Sequence, residues 1–220
     1  MFFLIYFNKI GVGLAYKINI ATGETSMKKN LFFIFAIIFC LSFYFGNNVS
    51  AEEPVIQQTL HDLCEFGSFT EVKDAIIAGA SVNEKDSEGR TPLMAACQGN
   101  SSAEIIQLLL SYGARVNLQD DKGRTALMYA AQYDMYEKVF AELIKAGANL
   151  NTKANDGTTA LMLACENAPS VKIVNLLIDA GASVNDKDFD GYVALDYAEN
   201  NKNKDAVKDI LRKAGAVKKK

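Results

Sequence analysis

The chain has 220 residues, half of them hydrophobic, with 23 basic and 26 acidic side chains and a formal net charge of −3. That length accommodates one folded domain with a sizeable core and something more. The mild acidity, with no large basic surface, argues against nucleic acid as a partner.

Residues 1–51 carry little of the charge and much of the aromatic apolar content. Within them, Met27-Lys28-Lys29-Asn30 is a short basic lead and Leu31 to Phe45 is an unbroken apolar run. Asn47 to Ala51 reads NNVSA, ahead of Glu52-Glu53-Pro54. Positive flank, apolar centre and small residues before a cleavage point are the order of an export signal, so residues 27–51 are expected to be a signal peptide cut after Ala51. The alternative is a membrane anchor retained over 31–45, although that run of 15 residues is short of the ~20 that a spanning helix normally needs. Lipid attachment at Cys40 is disfavoured because Phe39 precedes it where a small residue is expected. Residues 1–26 read as an upstream extension or a mis-assigned start, Met27 being the simpler beginning. Removing 1–51 leaves 19 basic against 25 acidic residues. The mature protein is then acidic, exported to the periplasm or beyond, without a membrane partner and monomeric.

Beyond residue 55 the sequence repeats. A Gly-Ala pair recurs at Gly79, Gly113, Gly147, Gly181 and Gly215, always 34 residues apart, and a second Gly recurs at Gly89, Gly123, Gly157 and Gly191 with the same step. Two locked periods of this size mark a stacked solenoid. Ile105 to Leu110, Val139 to Ile144, Ile173 to Ile178 and Val207 to Leu211 space apolar residues by three and four, as a core-facing helix requires. Each such helix is expected to end at the Gly of the Gly-Ala pair, which takes a left-handed backbone without a Cβ clash. An apolar residue and an Asn then follow in a fixed frame, at Val82-Asn83, Val116-Asn117, Leu150-Asn151 and Val184-Asn185. The segment closes on an acidic or polar residue with Gly, which favours a tight hairpin. Thr91-Pro92, Thr125-Ala126 and Thr159-Ala160 place a capping hydroxyl before the next helix. Leu93, Leu127, Leu161 and Leu195 point inward from it, and the pairs Ala96-Cys97, Ala130-Ala131 and Ala164-Cys165 allow close helix approach.

This order of hairpin, Gly, Thr-Pro-Leu, paired small residues, apolar second helix and Gly-Ala resembles the ankyrin repeat, with Thr91-Pro92-Leu93-Met94-Ala95-Ala96 the nearest copy. The resemblance covers about residues 55–217. It implies a mainly α fold, an ankyrin-repeat solenoid of five stacked helix-turn-helix units joined by β-hairpin loops, in approximate copies 55–88, 89–122, 123–156, 157–190 and 191–220. The period is 34 where the family has ~33, with the extra residue placed near Asn100 to Ala103. The family's His after Leu is replaced by Met94, Met128, Met162 and Asp196. The end copies depart from the pattern with polar residues such as Glu199, Asn200 and Lys202, as solenoid caps do.

Little in this register points to chemistry. His61 is the sole His and stands at the structural His of the first copy; no triad or His-metal cluster can be assembled. Cys64, Cys97 and Cys165 share one small-residue position on stacked helices ~8–10 Å apart, beyond the ~7 Å Cα limit of a bridge. They are expected to be buried free thiols. Asp186-Lys187-Asp188-Phe189-Asp190-Gly191 opens like a calcium loop, but Tyr197 stands where the loop needs its bidentate Glu. No catalytic residue, cofactor or metal is therefore expected.

What the resemblance does imply is recognition of a protein partner through hairpin tips and the concave helix face. The varied positions there are Ser87, Glu88, Arg90 and Gln98, and Asp121, Lys122, Arg124, Tyr129, Gln132 and Tyr133 one repeat on. Asn155, Asp156, Thr158, Glu166 and Asn167 follow, then Phe189, Asp190, Tyr192, Tyr197 and Asn200. Tyr129, Tyr133, Phe189 and Tyr192 stand out because aromatic side chains dominate binding hot spots. Two readings stay open: a non-enzymatic binding module exported across a membrane, and an accessory or protective factor for an enzyme in the same compartment. An enzyme is the third and weakest reading.

Overall fold

A computed structural model describes residues 59–99, 102–133, 136–168 and 170–217. All of these lie within one compact unit, Ile56–Lys220. The signal segment and anchor proposed for 27–51, the extension at 1–26, Cys40 and the terminal lysines 218–220 lie outside the described residues.

Short helices follow one another in pairs. The first members are α1 (Leu60–Phe66), α3 (Pro92–Gln98), α5 (Ala126–Gln132), α7 (Ala160–Asn167) and α9 (Ala194–Tyr197), the last extended by a 3-10 turn over Ala198–Asn200. The second members are α2 (Phe69–Ile77), α4 (Ala103–Ser111), α6 (Glu137–Lys145), α8 (Val171–Asp179) and α10 (Lys204–Lys213). First helices pack on first helices and second on second, giving two layers with the core between them.

The burial pattern repeats with the sequence. In α4, α6 and α8 the fully packed residues are Ile105, Ile106 and Leu109, then Val139, Phe140 and Leu143, then Ile173, Val174 and Leu177. This spacing of i, i+1 and i+4 puts one stripe of each second helix inward. The first helices are buried nearly all round: Leu93 to Cys97 and Ala126 to Ala131 are at most 1% exposed. A helix with neighbours on both sides and a partner behind it has no solvent face wide enough for long side chains, which is why small residues fill these positions.

Helix ends are closed by local chemistry. At the end of α4, Gly113 has φ +85° and its N–H bonds the Leu110 carbonyl, while Ala114 N–H bonds Leu109 at 2.9 Å. This is the Schellman arrangement, and its left-handed residue explains the recurring Gly. At the start of α3, Thr91 Oγ1 accepts from Met94 N–H, and Thr159 does the same for Met162. Thr125 does not behave as expected. Met128 N–H bonds the Thr125 carbonyl at 3.0 Å, so the first turn of α5 tightens and leaves the hydroxyl buried without a hydrogen-bond partner.

Between a helix pair and the next, the chain makes a turn-rich loop. Asp86 N–H bonds the Arg90 carbonyl and Gly89 N–H bonds the Asp86 carbonyl. Adjacent loops are joined by single backbone bonds, Asp121 to Glu88, Asn155 to Lys122 and Phe189 to Asp156, each N–H to carbonyl. The loops thus fold back as predicted, but one bond per repeat does not make a ladder, and no strand forms among the described residues.

A second tie between copies comes from the recurring Asn. Asn117 Nδ2 donates to the Gly147 carbonyl at 2.9 Å and its Oδ1 accepts from Asn149 N–H at 2.7 Å. Asn83, Asn151 and Asn185 make the same pair of bonds to the following copy.

Candidate protein-interaction surface

The side formed by loop tips and first helices holds every residue proposed for recognition, and the structure divides them by accessibility. Ser87, Glu88, Asp121, Lys122, Tyr133, Asn155, Asp156, Phe189, Asp190 and Tyr192 are exposed. Arg90, Gln98, Arg124, Gln132, Glu166 and Asn167 are half-buried, and Tyr129 and Thr158 are buried.

Tyr129 corrects the expectation that it is a free aromatic of the contact surface: it is 1% exposed. Its hydroxyl donates to Asp120 Oδ2 at 2.8 Å, its ring lies beneath the Arg124 guanidinium at 4.4 Å, and Tyr133 stacks on it with centroids 6.1 Å apart. Arg124 in turn donates from Nε to Asp120 Oδ2 at 3.0 Å and from Nη1 to Gln132. Asp120 also receives the Lys122 and Arg124 N–H groups on Oδ1. Arg124 and Tyr129 are therefore committed to bracing the loop against α5. Of the four aromatics proposed for contact, Phe189, Tyr192 and Tyr133 remain outward, at 74%, 47% and 41% exposure.

Thr158 is the second correction. At 6% exposure it is folded back onto the Asp156 carboxylate, to which both its N–H and its hydroxyl donate. Burial works to raise the Asp156 pKa, but the Thr158 hydroxyl and N–H outweigh it and hold the carboxyl below its ordinary value.

The second copy uses the same bracing without a tyrosine. Arg90 donates from Nε to Asp86 Oδ2 at 2.8 Å and from Nη1 to Gln98 Oε1 at 2.8 Å, with Glu65 3.8 Å away. Burial pushes Asp86 upward, and the Arg90 and Glu88 N–H groups with the Arg90 guanidinium more than offset it, so its pKa is lowered. In the fifth copy Tyr197 donates to Asp188 Oδ2 at 2.7 Å, and Asp188 Oδ1 accepts from Tyr192 N–H. Asp188 is thereby consumed inside the loop, which removes the central ligand of the calcium-like segment. Glu166 accepts from Asn200 across the fourth and fifth copies.

His61 Nε2 lies 3.0 Å from the Glu84 carbonyl and 2.9 Å from the Arg90 carbonyl. Two carbonyl acceptors require the proton on Nε2, so His61 clamps the first copy to the loop of the second. Cys64, Cys97 and Cys165 are buried and form no disulfide. Burial pushes the thiols of Cys64 and Cys165 up to about 12, and that of Cys97 also upward. Sequence reasoning passed over Phe66, the last residue of α1, which is exposed, and the bridging role of the Asn ladder. The fixed frame of the Asn was the available signal; Phe66 had none, because its register neighbours are Gly99 and Tyr133.

Family descriptions match the chain in two overlapping stretches: "Ankyrin repeats (3 copies)" at residues 60–154 and "Ankyrin repeats (many copies)" at 143–198. The chain belongs to the ankyrin-repeat family. No curated protein matches it. Ankyrin repeats are generally protein-interaction modules, and in this one the exposed chemistry of the loop side is carboxylate, amide and aromatic. No group of three His, Cys, Asp or Glu side chains able to hold a metal exists among the described residues. None of the described helices is long and apolar enough to cross a membrane.

Proposed function

We propose that this ankyrin protein is a non-enzymatic binding module, exported across a membrane and engaging a protein partner through its loop tips and first-helix face. The observation that carries the reading is the outward placement of Phe189, Tyr192 and Tyr133 on that side, beside Arg90, Arg124 and Tyr129, whose polar groups are bonded within the loops. Aromatic rings left in water on a rigid scaffold offer contact area at little entropic cost. Export is supported by the sequence order of residues 27–51, with the periplasm or the medium as destination.

The test is affinity capture with the tagged full chain, expressed in its own host and recovered from the exported fraction. A stoichiometric protein partner is expected, and it should be lost with the triple substitution Tyr133→Ala, Phe189→Ala, Tyr192→Ala at unchanged circular dichroism. A partner retained by that variant would remove the surface from consideration. N-terminal sequencing of the same sample is expected to begin at Glu52; a start upstream of Leu31 would overturn export by cleavage.

A further inference from the structure

The recurring Asn also shows what the backbone it touches can bind. Asn83, Asn117, Asn151 and Asn185 each donate from Nδ2 to a Gly carbonyl, at Gly113, Gly147, Gly181 and Gly215, over 2.9–3.4 Å. Each accepts on Oδ1 from the N–H two residues past that Gly, at Arg115, Asn149, Ser183 and Val217, over 2.7–2.8 Å. Four copies thus offer a side-chain carboxamide the same acceptor and donor, arranged around a left-handed Gly.

The first copy carries the same backbone. Gly79 has φ +101°, against +102° at Gly181. Its N–H bonds the Ile76 carbonyl and Ala80 N–H bonds that of Ala75, both at 3.0 Å, which is the closure seen at Gly113. Gly79 and Ser81 are exposed, and among the described residues neither the Gly79 carbonyl nor the Ser81 N–H has a partner. The frame 34 residues before Asn83 holds Val49, which has no carboxamide. Ile77, two residues before Gly79, is 64% exposed, where the other copies have Ser111, Lys145, Asp179 and Lys213. An apolar side chain therefore stands in water beside the polar pair only in this copy.

The chemistry of the pair narrows its ligand. A primary carboxamide carries donor and acceptor on one carbon and offers both to the same side. A trans backbone amide points its N–H and C=O in opposite directions, and a carboxylate has no proton to give the Gly79 carbonyl. In each of the four existing cases the residue before the Asn is apolar and half-buried or buried: Val82, Val116, Leu150 and Val184.

We propose that Gly79 and Ser81 form a carboxamide-binding site at the first-copy end of the stack, taken by an Asn that follows an apolar residue in a polypeptide partner. The Asn side chain bridges the Gly79 carbonyl and the Ser81 N–H, and Ile77 supplies the apolar contact beside it. The site is separate from the loop-tip surface and is tested independently of it.

The experiment titrates the 15N-labelled full chain with acetyl-valyl-asparagine N-methylamide and follows the backbone amides by NMR. A saturable shift of the Ser81 N–H is expected, in the millimolar range that two hydrogen bonds and a small apolar contact support. The aspartate analogue of the peptide should bind at least about tenfold more weakly, having lost one bond. Asn117→Ala supplies the control: it removes the native carboxamide from Gly147 and Asn149, so the Asn149 N–H should respond to the same peptide. A response at Asn149 in that variant without one at Ser81 would overturn the first-copy site. Response at neither, or equal binding of both peptides, would overturn carboxamide recognition itself. A Ser81 shift produced by Gln57→Ala/Gln58→Ala with no peptide added would assign the pair to side chains of this chain and overturn the partner.

Discussion

Tyr129 and Tyr197 occupy equivalent positions two copies apart, and each donates to the aspartate of its own loop, Asp120 or Asp188. Burial and then the carboxylate acceptor raise both phenol pKa values above the ordinary tyrosine range. A raised pKa means that the folded state holds its proton longer than the unfolded chain. The stabilisation is therefore complete below the unfolded tyrosine value of about 10 and is lost as pH rises above it. Replacing Tyr129 by Phe keeps the ring under Arg124 and removes two hydrogen bonds, the one its hydroxyl donates to Asp120 and the one it accepts from Arg124 Nη2, an expected cost of about 1.5–3 kcal/mol near neutrality. Urea denaturation at pH 7.5 checks the magnitude. Between about pH 9 and 11, the Tyr129→Phe/Tyr197→Phe protein should lose less stability than the parent; an equal loss would refute the linkage. The buried thiols make a separate prediction. Since Cys64 and Cys165 sit at about 12 and Cys97 is also raised, all three should resist iodoacetamide at pH 8 until denaturant is added. Peptide mapping of the alkylated chain reads this directly, and labelling of any of them in the native protein would contradict their burial.

At the level of the element, loop and helix are coupled by a few repeated contacts rather than by extended pairing. Asn117 is exposed, yet it ties the second turn of one copy to the helix end of the next through two bonds. Asn117→Ala is expected to cost about 1–2 kcal/mol, read as a lower urea midpoint with unchanged helicity; a neutral result would show that water replaces both bonds. Gly157 acts by absence. Its φ is +84°, and a Cβ there would lie 2.7 Å from Phe189 N, so the close approach of adjacent loops forbids a side chain. These constraints explain what the sequence made legible. Glycine, Asn, Thr and the apolar stripes recur because each performs one local task in every copy, and their period alone delivers the helix pairs and their order. The role of Tyr129 was not legible. It varies among copies, with Ala95 and Leu163 in its register, so it looked like a free surface position. Only the fold shows Asp120 and Arg124 closing over it. Thr158 was misread for the same reason, and Thr125 because a cap is specified by backbone angles as well as by its hydroxyl.

Taken as a stack, each copy touches only its neighbours, so stability is the sum of copy and interface terms and a lesion should matter according to its place. Phe140 fills the middle of the second-helix layer with no exposed surface, and Leu211 fills the same layer in the last copy. Truncating a buried Phe to Ala typically costs ~3–5 kcal/mol and a Leu ~2–5 kcal/mol, so the two variants test position more than size. Leu211→Ala removes packing from a copy with one neighbour. Its consequence should be fraying confined to about residues 191–217, with amide protection of α3 to α6 unchanged. Phe140→Ala weakens a copy held on both sides. The stack should then divide, with exchange accelerating in α5 to α7 and the urea transition broadening as its two ends unfold separately. Hydrogen exchange resolved by peptide mass separates the outcomes. If both variants accelerate exchange uniformly over 60–217, the array is a single cooperative unit and the nearest-neighbour account fails. The distinction bears on recognition, because the four loop tips keep their common spacing only while the interfaces between copies two and five hold. Phe140→Ala should therefore weaken capture of the protein partner more than Leu211→Ala does, although neither residue reaches the surface.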